Sequence, residues 1–564
     1  MQTHDGFFIQ FVKLAGPFWN SKKRLSIRRD TVLLVFLTML QIYIAVLIAE
    51  WNAALFDSLE QRSMPGLIKQ FEILVMIFVA NIAITTWHLV VKRRLTIGWR
   101  LWLTDQVVSK WMNNGRHYQM TLMSKTNHDN PDGRIAEDIR IATEEGIVLA
   151  HSFFYSILLL GSFTSMLWVL SGTVKVEIGH MTFYVSGYLV WISVIYSACA
   201  SILGWWMGKP LTEATHIRQT QEANYRYTLI KTQENSQAIA LLHGENNEKA
   251  RLFNAFRAIV DTYALQTAAW KQIQIFSSGY SIVSMALPIL SASPRYIAGT
   301  ISLGPLIQSV QAFEQMVSAL SWPVNNMAQI AKWRTSVERV LGLVNGMEEL
   351  EHSLSRHNSH QISLEKTKKP VLRFDNVTIA NFGVDRISAT INNEIKVGDR
   401  VLISGEASMG AKLFEAIAGL WPWGFGHIQL PREGALFFMP PKPYLPAGSL
   451  YAAICYPSNI TAFKQSVVED LLTQVDLKEF AKQLDRVGPW EKILSTEQKQ
   501  RLGLVRVLLH RPKWVFIEEA LDSLTPENET QMLELLRKEI PDVAIMSITN
   551  MPMAENFHQR KLKI

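Results

Sequence analysis

Residues 401–413, VLISGEASMGAKL, place Gly405 and Gly410 at the spacing of a phosphate-binding loop, between a run that reads as a strand and one that reads as a helix. In a working loop, G-x-x-x-x-G-K-[ST], backbone N–H groups cradle the phosphates, the lysine reaches the β- and γ-phosphates and the hydroxyl holds Mg²⁺. Here Ala411 occupies the lysine position and Lys412 the hydroxyl position, while Ser408 lies inside the frame. The nearby ammonium is displaced one residue along the helix, which rotates it about 100° from the site. The frame survives and the charge is misplaced.

Around this segment, from about residue 371, strand-like runs such as 371–374, 400–404 and 514–517 alternate with helical ones, the texture of an α/β domain. Upstream the chain changes character. Of the 564 residues, 48% are hydrophobic, 19% are charged and 17 are tryptophan, with the apolar mass concentrated before about residue 325, which points away from a wholly soluble enzyme. Residues 31–49 and 73–91 are uncharged and each long enough to cross about 30 Å of hydrocarbon. Lys22, Lys23, Arg24, Arg28 and Arg29 precede the first run and Lys92, Arg93 and Arg94 follow the second, so the positive-inside rule puts the N-terminus in the cytoplasm. Further spans read at 147–171 and 182–207, with a weaker pair at 276–292 and 300–322. Six crossings return the chain to the cytoplasm. No cleavable signal peptide is expected, the first span serving as the insertion signal.

Gln308, Gln311 and Glu314 fall in the last span and suit a bundle interior or a watery transport path. Cys199 and Cys455 supply neither a disulfide framework nor a metal cluster. The net charge of +7 fits cytoplasmic-loop excess, not nucleic-acid binding. Long cytoplasmic helices are expected over 92–145 and 209–275, the former interrupted by a turn signal at 130–133 where a short element could touch another domain. Residues 347–369 lack an apolar period and read as a linker. The resulting division is 1–335 membrane, 336–370 linker and 371–564 α/β. His88 and His151 read as interfacial residues, and Arg501 and Arg506 as helix-surface or dimer contacts.

NPDGRIAEDI at 130–139, GWRLWLT at 98–104 and AGLWPWG at 418–424, with six spans ahead of a phosphate-loop frame, resemble an ABC transporter half-molecule. The branch resembled holds peroxisomal fatty-acyl transporters and their bacterial relatives, among them SbmA/BacA-like permeases that take up peptide antibiotics and, in some members, cobalamin. The resemblance implies an all-α, six-helix exporter-type transmembrane domain followed by a cytoplasmic P-loop NTPase-like ABC ATPase domain, with ATP and Mg²⁺ as cofactors. Carried over residue by residue, Glu519 matches the catalytic glutamate, but Glu518 replaces the Mg²⁺-ordering aspartate. The LSGGEQ signature becomes 494–499, LSTEQK, with Thr496 and Glu497 replacing both glycines. The glutamine linking nucleotide to the membrane falls on Pro441, the switch histidine on Asn550 and the dimer-loop aspartate on Thr525. Each ATP of such a dimer lies between one subunit's phosphate loop and the other's signature, so these changes damage both composite sites and leave enzymatic activity open.

The sequence reading is therefore a homodimeric, multi-pass transporter of the bacterial inner membrane with both termini cytoplasmic. It would move peptides or other bulky amphiphilic solutes, with ATP hydrolysis lost and protons as an energy source through Glu314. The alternatives are a slow, atypical ATP-driven pump using Glu519 and Lys412, or a regulatory scaffold that transports nothing.

Overall fold

The computed structural model describes residues 6–123, 131–178, 181–356, 361–381, 384–387, 390–432, 434–549 and 554–564. The chain divides into two compact units, Met1–Gln106 with Asn130–Leu341, and Val107–Asp129 with Gly342–Ile564.

The first unit is mainly helical. After the amphipathic helix α1 (Phe7–Ala15) come α2 (Arg24–Glu60) and α3 (Met64–Met112), which runs on into the second unit, where a short helix α4 (Arg116–Met123) follows. The bundle continues with α5 (Ile139–Ser171), α6 (Tyr188–Glu234), α7 (Glu245–Ile297) and α8 (Leu303–Leu320). Among the described residues, five helical stretches, Arg24–Glu60, Met64–Leu122, Pro131–Ser171, Tyr188–Glu234 and Glu245–Ile297, are long and apolar enough to cross a membrane. The expected sixth span is α8, which its glutamines and Glu314 keep below that standard. Its buried face, Leu306, Ser309, Phe313, Met316 and Val317, follows helical spacing, and Phe313, Met316 and Val317 pack into the bundle core.

The fourth span does not begin at residue 182 as expected. β1 (Thr173–Ile178) and β2 (Met181–Ser186) form an antiparallel hairpin first, and α6 starts at Tyr188. The alternation in TVKVEI is strand-like, but the apolar runs on both sides mask it. The turn expected at 130–133 is also different. Asn130 lies outside the described residues, and Pro131–Gly133 is a helical turn leading through Arg134–Asp138 into α5, a position proline tolerates because a first-turn N–H has no helical acceptor.

Helix α8 starts against α2. Its N-terminal N–H groups are met by acids, Leu303 N donating to Glu60 Oε2 (2.9 Å) and Gly304 N to Asp57 Oδ1 (2.8 Å), which complements the positive helix end. A Cβ on Gly304 would lie 2.3 Å from the Ala53 carbonyl oxygen. Gly304→Ala should therefore destabilise the chain by about 1–3 kcal/mol through overpacking, read as a lower thermal midpoint in lipid nanodiscs.

In the second unit, α9 (Met327–Arg356) continues from the first unit with Met347 and Leu350 buried, so the expected linker is helical up to Arg356. Its sequence looks aperiodic because the buried positions are sparse among charged ones. Strands β3 (Ser363–Thr367), β4 (Val371–Asn381), β5 (Val384–Ile387), β6 (Ile391–Lys396), β7 (Arg400–Ser404), β8 (Gly424–Pro431), β9 (Leu436–Met439), β10 (Trp514–Glu518), β11 (Ala544–Ile548) and β12 (Arg560–Lys563) make two sheets. One is antiparallel in its centre, with β4 against β6 and β8. The other is parallel, in the order β12-β7-β11-β10-β9. The continuous burial of β11 and of Trp514 to Ile517 in β10 is what a parallel sheet covered on both faces requires. Among the helices of this unit, α10 (Ala407–Ile417), α11 (Thr496–His510) and α12 (Pro526–Glu539) bear on the site.

Candidate functional site

In a parallel sheet, ligand sites form beyond the carboxyl ends of the strands. Those ends bring together four of the sequence candidates, Gly405 after β7, Pro441 just past β9, and Glu518 with Glu519 at the end of β10. Asn550, just past β11, lies outside the described residues; Thr549 before it donates its hydroxyl to Asp522 Oδ1 (2.8 Å).

After β7 the chain turns at Gly405 (φ 137°), where a Cβ would sit 2.5 Å from the Ile564 carbonyl oxygen. Helix α10 then begins at Ala407, three residues before the second glycine. Glu406 caps it, and its carbonyl accepts from Met409 N (2.9 Å) and Gly410 N (3.2 Å). Backbone donors inside the frame are thus spent on the helix itself. Ser408 Oγ donates to Glu406 Oε1 (2.7 Å), which sets a carboxylate within the frame. Gly410 allows close packing on β11, since its Cβ would meet Ile548 Cδ1 at 2.9 Å. Ala411 is half-buried, and the Lys412 ammonium stands 5.2 Å from the centre of the Trp421 ring in a cation–π arrangement.

Glu518 is half-buried, and burial first, then the Glu415 and Glu519 charges, raise its carboxyl above the usual range. Glu519 takes a left-handed backbone (φ 46°), with its N–H on the Ile548 carbonyl (2.8 Å). Glu415, on α10, accepts from Tyr118 Oη (2.6 Å), and Gln119 Nε2 reaches the Leu420 carbonyl (3.3 Å). Gly115, with φ 71°, would drive a Cβ to 2.4 Å from Leu420 Cδ2. Residues 115–119 therefore pack against the α/β fold within the second unit.

The start of α11 carries Thr496 and Glu497. Ser495 and Gln498 close a capping box: Ser495 Oγ accepts from Gln498 N (3.2 Å) and Gln498 Oε1 accepts from Ser495 N (3.0 Å). Glu497 pairs with Arg501 at 2.7 Å. One turn further in, Gln500 joins this helix to the acidic strand end by donating to the Glu519 carbonyl (3.4 Å) and accepting from Ser523 N (3.0 Å). Thr525 caps α12 through Asn528 N.

Arg501 and Arg506 are buried, contrary to the surface role expected for both. Arg501 also holds Asp476 (2.9 Å) and the Val475 carbonyl (3.1 Å). Arg506 donates to the carbonyls of Ala453 (3.0 and 2.6 Å) and Tyr444 (2.8 Å), and burial pulls its guanidinium down to about 10. These partners lie 25 to 62 residues away in sequence, so no local pattern announces them.

Glu529, on α12, is 2% exposed, and burial followed by the Asp522 charge raises its carboxyl from 4.5 to about 7. The unfolded chain releases this proton at lower pH than the folded one, so stability is greatest below the unfolded value and falls as pH rises through the folded value. Glu529→Gln should remove that fall, worth on the order of 3 kcal/mol, and leave thermal midpoints at about pH 5 and about pH 8 closer together than in the natural chain.

In the helical unit, α8 does not bring its three polar candidates to one place. Gln311 accepts from Asn52 on α2 (2.9 Å), Gln308 turns its amide to Met166 on α5 (3.7 Å), and Glu314 is exposed. His88 and His151 are not separate interfacial residues. Their Nε2 atoms lie 2.8 Å apart, and His88 is buried.

A family model described as ABC transporter transmembrane region 2 matches residues 14–294. An uncharacterized ABC transporter ATP-binding protein of Haemophilus influenzae is 29% identical, over 98% of this chain and 91% of its own. The inner membrane ABC transporter ATP-binding protein YddA of Escherichia coli is 27% identical over 97% and 96%. Human ATP-binding cassette sub-family D member 3 is 24% identical over 58% of this chain and 56% of its own. Among solved structures, a bacterial Atm1-family ABC exporter with ATP bound superposes with a TM-score of 0.67 at 15% identity, over 95% of this chain and 93% of the other.

Proposed function

Starting from a multi-pass ABC transporter half-molecule, a helical transmembrane region fused to an ATPase-like domain, we propose that this chain is a homodimeric, SbmA/BacA-like transporter whose cassette no longer hydrolyses ATP. Its place would be a bacterial inner membrane, with both termini cytoplasmic. Peptides or other bulky amphiphilic solutes are the cargo class, and the proton gradient is the energy source.

The observation that carries this reading is the early start of α10. The Met409 and Gly410 N–H groups that would face a phosphate donate to the Glu406 carbonyl, and a carboxylate and a hydroxyl occupy the same frame. ATP with Mg²⁺ fits these residues poorly. Lys412 lies toward Trp421, Glu518 is one methylene longer than the aspartate that orders Mg²⁺, and a carboxylate inside the loop repels phosphate. The capping box at Ser495 likewise commits donors at the start of α11. The surviving cassette then serves as a dimerisation and support module.

A second reading keeps slow ATP-driven transport. It is favoured by Glu519, retained at the end of β10, and by relatives named as ATP-binding proteins. Uptake of a fluorescent peptide panel into proteoliposomes separates the two. An imposed pH gradient should drive uptake without nucleotide. Uptake that needs ATP and fails in Glu519→Gln would overturn the proposal.

A further inference from the structure

The apolar helices α2, α3 and α5 line an open pocket of about 360 Å³ with an unexpectedly polar lining. Gln41 comes from α2, Asn81, Thr85 and His88 from α3, and His151, Ser152 and Tyr155 from α5. A space of this size accommodates several waters, and polar side chains of this number in apolar helices mark a hydrated path more often than a lipid-facing wall. At its wall the rings of His88 and His151 meet, Nε2 to Nε2 at 2.8 Å with ring centres 4.5 Å apart.

We propose that the His88–His151 pair is a proton-binding site of the membrane region, filled through this pocket, and that one bound proton tightens the link between α3 and α5. In purpose it rests on the proton-driven reading above; in existence it rests on the geometry alone.

Two neutral imidazoles in this contact need one Nε2–H between them, so one ring donates and the other accepts. A further proton can bind the donor ring at its outer Nδ1. That ring becomes an imidazolium, and the bond becomes a stronger, charge-assisted one. The next proton would have to bind the acceptor's Nε2, placing two N–H groups head to head and separating the helices. The pair thus holds one added proton with the contact intact.

The charge nearest the pair opposes an added proton, and the polar groups around it are neutral or engaged elsewhere. Lys92, about one turn along α3, is the cation whose field reaches both rings. On α5, Tyr155 lies 6.3 Å from His151 ring to ring, and Ser152 Oγ accepts from Trp322 Nε1 (3.0 Å). The acids nearer the start of α5 are already engaged, Glu144 by Arg100 and Arg140 and Glu145 by Gln329. From α2 the lining offers the neutral Gln41 and apolar Ile44, Ala45 and Ile48.

The test uses the full chain in lipid nanodiscs with ¹⁵N-labelled histidine, followed through a pH titration. The wild type should show a ¹⁵N–¹⁵N coupling across one N–H···N bond, and that coupling should survive uptake of the first proton and vanish at more acidic pH. His88→Asn and His151→Asn should each abolish it and leave the remaining histidine titrating singly. Absence of the coupling in the wild type, or loss of it with the first proton, overturns the proposal even if neither variant folds. If the pair behaves as stated but a pH gradient drives no peptide uptake, the site stands and the proton-driven reading falls.

Discussion

Replacing Ala411 by lysine and Lys412 by serine together is expected to leave ATP turnover within about tenfold of the natural chain, although one properly placed donor is commonly worth about 10²–10³ in rate. The reason is geometric. Those two side chains would return to a helix that begins at Ala407, where the Glu406 carbonyl already takes the N–H groups of Met409 and Gly410 and the Glu406 carboxylate holds Ser408. The signature-like segment stays altered, with Glu497 on Arg501 and Ser495 engaged in its capping box. The Lys412→Ser half of the change also removes the ammonium from Trp421, a loss of roughly 0.5–2 kcal/mol that should appear as a lower thermal midpoint. The double variant is read by phosphate release from purified protein. Recovery of turnover by two or more orders of magnitude would mean that the loop and signature are otherwise competent.

The largest stability effect is expected at Arg506. The residue is 6% exposed, and its guanidinium joins the carbonyls of Ala453 and Tyr444, with its carbon 5.5 Å from the centre of the Tyr456 ring. Arg506→Ala leaves these carbonyls without their donor and opens a cavity, for a loss of about 3–5 kcal/mol. Arg506→Lys should lie between the two, because a single ammonium cannot reproduce the planar fork that serves two carbonyls. Thermal unfolding of the three proteins, followed by near-ultraviolet circular dichroism, gives the order. A surface arginine would leave all three alike.

The contrast between Arg506 and β10 shows what the chain makes legible. WVFIE reads as a strand because a parallel sheet covered on both faces needs an unbroken apolar run, which is a local signal. The phosphate-loop frame is legible for the same reason, being fixed by glycine spacing within a few residues. Burial of Arg506 depends on carbonyls as far as 62 residues away, and the His88–His151 contact joins residues 63 apart. Read singly, each histidine looks like an interfacial residue; only the crossing of α3 and α5 pairs them. The hairpin at 173–186 hides between two apolar runs, where a membrane reading extends the following helix too early. Spacing also fixes Gln308, Gln311 and Glu314 on one helix but not their surroundings, which belong to α2, α5 and the exposed face.

ATP hydrolysis by the unmodified chain, reconstituted in lipid nanodiscs and measured beside Glu519→Gln, tests the loss of the motor most directly. The account predicts the same background rate for both proteins, with Mg²⁺ and ATP in excess. Turnover by the natural chain that Glu519→Gln abolishes would contradict it and identify an ATP-driven pump.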